Sequence, residues 1–367
     1  MRDDIYRKLG KHLAALGMGY PDKEELMDIL EANFSPFEAE VALAIPTGVI
    51  PLEPASVDRI ASALSRSREE IIPILENLAH RGLLFSGKLD DGTRGYALHQ
   101  FGYGFPQTFF WGGIDAPNAK AMAEMIVKYS RIPDLEWAYG STPSKAFRYL
   151  PAKAAIDPDS HAVFPFEMME EVIKNVGRIA LVNCPCRATM ELLGKRQCRH
   201  PLESCIKYDD LADYLLDTGI GREISKDEAL HVIRRAEDAG LVHLVDNARE
   251  GIKHTCNCCG CCCWSVGTIR RRKIPRDVLM ATYFLRDTDR DECTGCGRCV
   301  DICPVKAIRM ENDFPVIDPD WCIGCGVCAV PCPASAVRLV RRSDSLPPED
   351  FRTLHNRILK ERKGRAT

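Results

Sequence analysis

Eighteen cysteines dominate the chemistry available to this sequence of 367 residues, and all of them lie between residues 184 and 332. Thiolates bind iron, zinc and iron–sulfur clusters. A short secreted protein would use so many cysteines for disulfides, whereas a long intracellular chain uses them for metal. The N-terminal residues are charged and lack the apolar segment of a signal peptide. The sequence therefore predicts a cytoplasmic location and metal-binding cysteines.

Two segments, 293–304 and 322–333, repeat the pattern C-x₂-C-x₂-C-x₃-C-P. Three thiolates on a glycine-containing loop bind three irons of a cubane cluster, and the fourth cysteine, followed by proline, leads to the sister cluster. Zinc sites use paired C-x₂₋₄-C elements, so this triple spacing favours iron. The pattern predicts one cluster on Cys293, Cys296, Cys299 and Cys332, and a second cluster on Cys322, Cys325, Cys328 and Cys303.

With all eight ligands in place, residues 284–341 resemble the bacterial two-cluster ferredoxin domain. The resemblance implies a βαββαβ fold, two [4Fe–4S] clusters and one-electron transfer at low potential. It also implies that the two clusters lie close enough for fast electron hopping between them.

Ten further cysteines form two groups along the chain. Their density, and the lack of apolar periodicity in the run CNCCGCCC, favour metal binding over packing. The sequence is compatible with two more [4Fe–4S] clusters, with one cluster and one zinc ion, or with a larger cluster of about nine or ten thiolates. Ligands are either divided by group or shared between the groups. The first group is Cys184, Cys186, Cys198 and Cys205, and the second is Cys256, Cys258, Cys259, Cys261, Cys262 and Cys263.

Histidines and basic residues flank these two groups. His200 and His254 are expected to donate hydrogen bonds rather than to bind metal. Positive charge near a thiolate-rich cluster stabilises the added electron and raises the reduction potential. Alternatively, these cations form only a solvated basic surface, and the sequence favours the two interpretations equally. The cations are Arg187, Lys195, Arg196, Arg199 and Arg270–Lys273.

The helices and strands that must position the cysteines indicate an α+β chain in four parts. Residues 1–101 are expected to form a winged-helix-like module, and 102–275 a mixed, cysteine-rich, metal-binding domain. Residues 284–341 are expected to form the ferredoxin-type domain, and 342–367 a basic tail that is either solvated or docks to an acidic partner. Within the second part, we expect helices over 118–129, 166–175 and 208–216, a capping box at Ser225-x-x-Glu228, and strands at 178–183 and 241–245 that scaffold the cysteines.

The first part carries clear helix and hairpin signals. Ser35 and Ser56 are candidate N-caps, a third helix is expected over 68–81 with Gly82 after its end, and Asp91-Gly92 marks a hairpin.

Charge in this first part argues against DNA binding. The helix that would enter a groove carries several glutamates, and residues 1–100 hold 11 basic against 16 acidic residues, a net charge of 11 − 16 = −5. Affinity for DNA comes largely from neutralising phosphates. We therefore expect a structural or protein-docking module.

A second resemblance covers most of the chain. The segments FRYLPAK, NCPCR, SKDEALHVIRRAEDAGLVH and CNCCGCCC, followed by the ferredoxin repeat, are similar to a family of 4Fe–4S-binding proteins from anaerobes. This resemblance implies a redox role and names no substrate.

Other cofactor signatures are absent from the sequence. It has no G-x-G-x-x-G after a strand, no Walker loop, no radical-SAM cysteine triplet and no apolar run of about 18 residues. We therefore predict an electron-transfer protein or subunit that serves a redox partner protein, rather than an autonomous enzyme. The alternatives are an oxidoreductase that uses the cysteine-rich centre as its active site, and a redox-sensing winged-helix regulator.

Overall fold

The first helices begin where the sequence supplies capping side chains. Ser35 accepts a hydrogen bond from the backbone of Glu38, and the Glu38 carboxylate accepts one from the backbone of Ser35. Ser56 caps the fourth helix, and Ser67 with Glu70 forms a second capping box, which was not among the predicted caps. The predicted caps are thus confirmed. The helices are α1 (Asp4–Ala14), α2 (Glu24–Asn33), α3 (Pro36–Leu43), α4 (Val57–Leu64) and α5 (Arg68–His80).

A small antiparallel sheet completes this N-terminal part. Its strands are β1 (Ala55–Ser56), β2 (Leu84–Lys88) and β3 (Arg94–Leu98), in the order β1-β3-β2. Gly92 has φ of +81° in the turn, which confirms the hairpin that Asp91-Gly92 predicts. This computed structural model describes residues 4–134, 140, 142–156, 164–342 and 344–363.

A six-stranded antiparallel sheet forms the centre of the described chain, in the order β4-β8-β9-β6-β5-β7. Its strands come from widely separated parts of the sequence. They are β4 (Phe147–Leu150), β5 (Ile179–Asn183), β6 (Glu203–Tyr208), β7 (Arg222–Glu223), β8 (Val242–Asp246) and β9 (His254–Cys258).

Six described helices belong to the same stretch of the chain as this sheet. They include the helices expected over 118–129, 166–175 and 208–216, with shifted ends. They are α6 (Ala119–Ser130), α7 (Met169–Asn175), α8 (Pro185–Leu192), α9 (Asp209–Asp217), α10 (Lys226–Asp238) and α11 (Trp264–Arg272). The capping box expected at Ser225 is only half formed among the described contacts. Ser225 accepts from the backbone of Glu228, but the Glu228 carboxylate pairs with Arg222 at 2.8 Å.

Two short sheets carry the repeated cysteine segments. Phe284 pairs with Arg341 in one of these sheets, and Ile308 pairs with Ile317 in the other. The element order is strand, helix, strand, strand, 3₁₀ turn, strand. The elements are β10 (Phe284–Thr288), α12 (Arg298–Ile302), β11 (Ile308–Glu311), β12 (Phe314–Ile317), the 3₁₀ turn Val327–Ala329, and β13 (Val337–Arg341).

The C-terminal residues differ from the expected solvated tail. Phe351–Lys363 forms helix α13, in which Leu354 and Ile358 are buried although the helix carries many basic residues. His355 is also buried and hydrogen-bonds to Tyr103. The apolar residues lie on one face of α13, and this face packs against the body of the protein.

One large hydrophobic cluster joins the parts of the chain, because it contains residues from Tyr6 to Ile358. The structure is therefore a mixed α+β chain with several small sheets. In its described part, no helix combines the length and the apolar character needed to cross a membrane.

We predict that Leu354→Ala will lower the stability of the whole chain, because Leu354 has no exposed surface. Truncation of a fully buried leucine costs about 2–5 kcal/mol. Thermal unfolding followed by circular dichroism, without oxygen, should show a midpoint lowered by several degrees. Arg357→Ala, on the exposed face of the same helix, is the control and should leave the midpoint nearly unchanged. Equal midpoints for the two variants would contradict the docking of α13.

Candidate metal centres

Tight loops hold the first three cysteines of each repeat. Gly295 and Gly324 occupy equivalent positions in the two loops, with φ of +66° and +63°. A Cβ atom at Gly295 would collide with the carbonyl oxygen of Asp313, and one at Gly324 with that of Phe284. Glycine is thus required both by the backbone conformation and by the close approach of another backbone segment.

The structure brings each trio together with the last cysteine of the other repeat. One cavity is lined by Cys293, Cys296, Cys299 and Cys332. Cys303 lies near the three cysteines of the second repeat, close enough for the charge of one thiolate to raise the pKa of another. These three cysteines are Cys322, Cys325 and Cys328. These are the two groupings that the spacing predicts.

The two groupings differ in depth. Cys296 is exposed, whereas Cys325 and Cys328 are buried. Burial raises the pKa of Cys328 to about 12, so its thiol remains protonated at neutral pH until a metal displaces the proton. The Cys293 grouping therefore lies nearer the surface than the Cys322 grouping.

Six of the other ten cysteines form a closed ring of neighbouring thiols. Cys184 interacts with Cys186 and Cys205, and the contacts continue around the ring back to Cys186. Four of the six are buried and two are half-buried. We call these residues the six-thiol ring. In order around the ring they are Cys184, Cys186, Cys263, Cys258, Cys256 and Cys205.

The remaining four cysteines form a compact cluster, which we call the four-thiol site. They are Cys198, Cys259, Cys261 and Cys262, and all four sulfurs lie within 4.8 Å of one another. Individual sulfur–sulfur distances are 4.0 Å for Cys198–Cys259 and 3.6 Å for Cys261–Cys262. A tetrahedral ion with bonds of about 2.3 Å to sulfur requires edges of about 3.8 Å. The geometry fits one metal ion.

The thiols are therefore not divided by sequence group, because each of the two sets contains cysteines from both groups. Cys256 and Cys258 lie two apart on strand β9 and point to the same face, while Asn257 between them points to the other. Asn257 accepts from His243 at 2.6 Å and donates to the carbonyl of Ser204 at 2.7 Å. After β9 the chain turns, and its next cysteines meet Cys198 instead.

Two fully buried cations lie against these thiols. Arg187 has no exposed surface and lies between the six-thiol ring and the four-thiol site. Although burial disfavours its charge, the charges of Cys184, Cys205 and Cys259 raise the pKa of Arg187. Its guanidinium donates to the carbonyl of Asn257 at 3.0 Å.

The second cation, Lys207, is 2% exposed and rests on the ring of Trp111 at 4.4 Å. Hydrogen bonds from Cys205 and Cys258 lower the pKa of Cys256, and the charge of Lys207 lowers it further. Among the described residues, no carboxylate pairs with Lys207 or Arg187. A counter-charge stabilises a buried cation, so these two side chains favour negative charge on the thiol cluster. No sequence pattern singles out Lys207, since one lysine in a strand gives no local signal.

A similar cation lies between the two repeat groupings. Arg286 is 6% exposed, lines the cavity of the Cys293 grouping and lowers the pKa of Cys328 against the effect of burial. Its Nε and Nη1 groups have no hydrogen-bond partner in the described chain. Unmatched buried donors beside cysteine groupings fit anionic iron–sulfur clusters, whose sulfur atoms accept hydrogen bonds.

His200 and His254 lie beside the thiols, and neither belongs to the four-thiol site. His254 lies close enough to Cys256 to lower the pKa of that thiol, and it faces Asp246 at 3.5 Å. Asp246 also accepts from Tyr103 at 2.7 Å. His200 is half-buried, and its backbone carbonyl accepts from Arg196. In the described chain, the compact metal-binding cluster contains cysteines alone.

Tyr149 connects the six-thiol ring with the second repeat grouping. It is 1% exposed, and it lies close enough to Cys258, Cys263 and Cys325 for their charges to act on its hydroxyl. The backbone of Ala152, three residues later, donates to the carbonyl of Cys325 at 2.9 Å. The cysteine-rich part and the repeats are therefore in direct contact.

Comparisons with known proteins point to iron–sulfur binding by the repeats. The family model described as 4Fe-4S dicluster domain matches residues 292–336. A subunit of the ion-translocating oxidoreductase complex of Methanosarcina acetivorans is 33% identical over 87 residues, which are 23% of this chain and 26% of that protein. Ferredoxin-2 of Desulfomicrobium norvegicum is 54% identical over 24 residues, or 6% of this chain and 41% of that protein.

The chain thus spans about a quarter of the first relative and two fifths of the second. No solved structure matches it. The dicluster match and the two relatives support a 4Fe–4S-binding protein with a role in iron–sulfur electron transfer.

We predict that paired substitutions will report which cysteines share a cluster. Cys293→Ser with Cys332→Ser should lose no more iron than Cys293→Ser alone, because both residues serve one cluster. Cys293→Ser with Cys303→Ser should lose about twice as much, because two clusters are affected. Iron and acid-labile sulfide per chain, after purification without oxygen, give the measurement. The reverse pattern would show that each repeat keeps its own fourth cysteine.

Proposed function

We propose that this chain is an electron-transfer protein or subunit that passes single electrons between a redox partner and its buried cysteine centre. When bound, [4Fe–4S] clusters supply one-electron transfer. Cys293, Cys296, Cys299 and Cys332 would hold one cluster, and Cys322, Cys325, Cys328 and Cys303 the other. The element order of residues 284–341 supports a ferredoxin-type βαββαβ domain.

The observation that carries this proposal is the order of the cysteine sets from surface to interior. Cys296 is exposed and marks the outer end. Cys325 is buried and lies beside Tyr149, which in turn lies beside Cys263 of the six-thiol ring. Successive sets in contact suit electron movement inward or outward, whereas isolated structural metal sites need no such order.

The six-thiol ring would hold a polynuclear iron–sulfur centre. In the described chain, no three of its sulfurs lie within 4.8 Å of one another, so the ring is too open for one ion. The buried charges of Arg187 and Lys207 favour an anionic occupant. The four-thiol site, in contrast, would hold a single tetrahedral zinc or iron ion.

The N-terminal part would serve as a winged-helix-like structural module. Arg94 of its hairpin pairs with Asp217 at 2.9 Å, and Tyr214 of α9 donates to the carbonyl of Ala79 at 3.0 Å. The hairpin and the end of α5 therefore face the cysteine-rich part. These contacts favour internal docking over DNA binding and weigh against a regulator that reads DNA.

The partner would be a redox protein that approaches the outer cysteine grouping. One relative is named as a subunit of an ion-translocating oxidoreductase complex. The exposed Cys296 is flanked by charged residues, including Glu292 and Arg298, which are also exposed. A polar, charged rim of this kind suits a transient electron-transfer contact.

We predict that the loaded protein will be bleached by dithionite and will then reduce a viologen dye. Cys296→Ser should slow this transfer by about an order of magnitude, because it alters the outermost cluster ligand. Stopped-flow absorbance without oxygen gives the rate. Cys198→Ser, in the four-thiol site, is the control and should leave the rate nearly unchanged. A loaded protein that dithionite does not bleach would end the proposal.

We further predict that substitutions will separate the two inner centres. Cys198→Ser should remove about one metal ion per chain and no acid-labile sulfide, because a single ion is bound by thiolates alone. Cys258→Ser should remove several irons together with sulfide. Elemental analysis and sulfide determination give both quantities. Sulfide loss in both variants to the same extent would mean that all ten thiols share one cluster.

A further inference from the structure

A cavity of about 550 Å³ lies where α6, α8 and α11 meet. Its size is within the range of sites for small molecules. Cys186 of the six-thiol ring lines it, as do Cys261 and Cys262 of the four-thiol site. Both inner centres therefore border the same space.

The walls of this cavity are largely apolar. Phe110 and Val127 are buried side chains that line it, and Ile126, Met190 and Trp264 add partly buried surface. Such walls favour a ligand with an aromatic or branched hydrocarbon body.

Four cations border the cavity, and none of its described lining residues is acidic. Arg271 is exposed and donates one guanidinium N–H to the carbonyl of Cys261 at 3.0 Å, which holds the side chain at the rim. Arginine binds carboxylates through paired N–H groups, so this rim favours an anion. The cations are Arg131, Lys195, Arg271 and Arg272.

We propose that this cavity binds a small organic carboxylate, with its apolar body against Phe110 and Trp264 and its charged group at the arginine and lysine rim. Cys186 and Cys261 would then lie beside the ligand. This inference goes beyond electron transfer, since it gives the inner centres a small-molecule neighbour. Ligand binding is measured directly and does not depend on whether the repeats carry electrons.

The test uses 2-naphthoate as the probe and the full chain purified with its metals, without oxygen. Isothermal titration calorimetry should show binding, and the neutral 2-naphthamide should bind at least about tenfold more weakly because it lacks the charge. Arg271→Ala and Lys195→Ala should each weaken 2-naphthoate binding severalfold. Arg270→Ala is the matched control, because this neighbouring exposed residue does not line the cavity. Two basic residues are tested because Arg271 also contacts the four-thiol loop.

A spectroscopic measurement tests the position of the ligand. Binding of 2-naphthoate should change the visible circular dichroism or the electron paramagnetic resonance of the inner centres. Equal affinity for the acid and the amide would overturn the proposal, as would equal binding by Lys195→Ala and Arg270→Ala. Binding that leaves every metal signal unchanged would place the ligand elsewhere and would also overturn it.

Discussion

Negative charge on buried thiolates is the constraint on which this structure depends. An unpaired charge in a protein interior is costly, and nearby cations reduce that cost when their geometry is fixed. Arg187 and Lys207 are fully or almost fully buried beside the inner thiols, and Arg286 is buried between the repeat groupings. The three cations belong to different elements, so the charge balance requires the fold to be complete.

The register of the central sheet determines which thiols meet. Cys205 lies opposite Val182, and Thr255 lies opposite Ile206, so β6 brings Cys205 close to both β5 and β9. Because side chains alternate along a strand, Cys256 and Cys258 point to the same face of β9, where the other thiols of the six-thiol ring lie. A shift of β9 by one residue would turn these thiols away and bring Asn257 into the ring.

Local signals predicted the parts of the fold that local chemistry controls. The caps at Ser35 and Ser56 and the hairpin at Asp91-Gly92 are examples, because each depends on a few neighbouring residues. The sequence around Leu354 predicts a solvated tail, because its apolar residues are sparse among arginines and lysines. The position of this helix depends on a surface formed by residues far away in the sequence, and short-range patterns carry no information about that surface.

The cysteines illustrate the same limit at the site. The spacing within each repeat predicts that its fourth cysteine serves the other repeat, and each set of three cysteines does lie near the last cysteine of the other repeat. The other ten thiols carry no such rule. Cys198 joins Cys259 only because the sheet and the turn after β9 bring them together. Strand pairing between residues about fifty positions apart decides this arrangement, and the sequence does not state that pairing locally.

The depth of the inner centres bears on what they do. A protein that only relays electrons between partners benefits from centres near the surface at both ends of the path. Here the described sets run from exposed Cys296 to a ring of thiols whose members are buried or half-buried. The ring also borders a cavity through Cys186. An inner end that meets a cavity suits a bound small molecule, whose hydrocarbon body the apolar walls would cover.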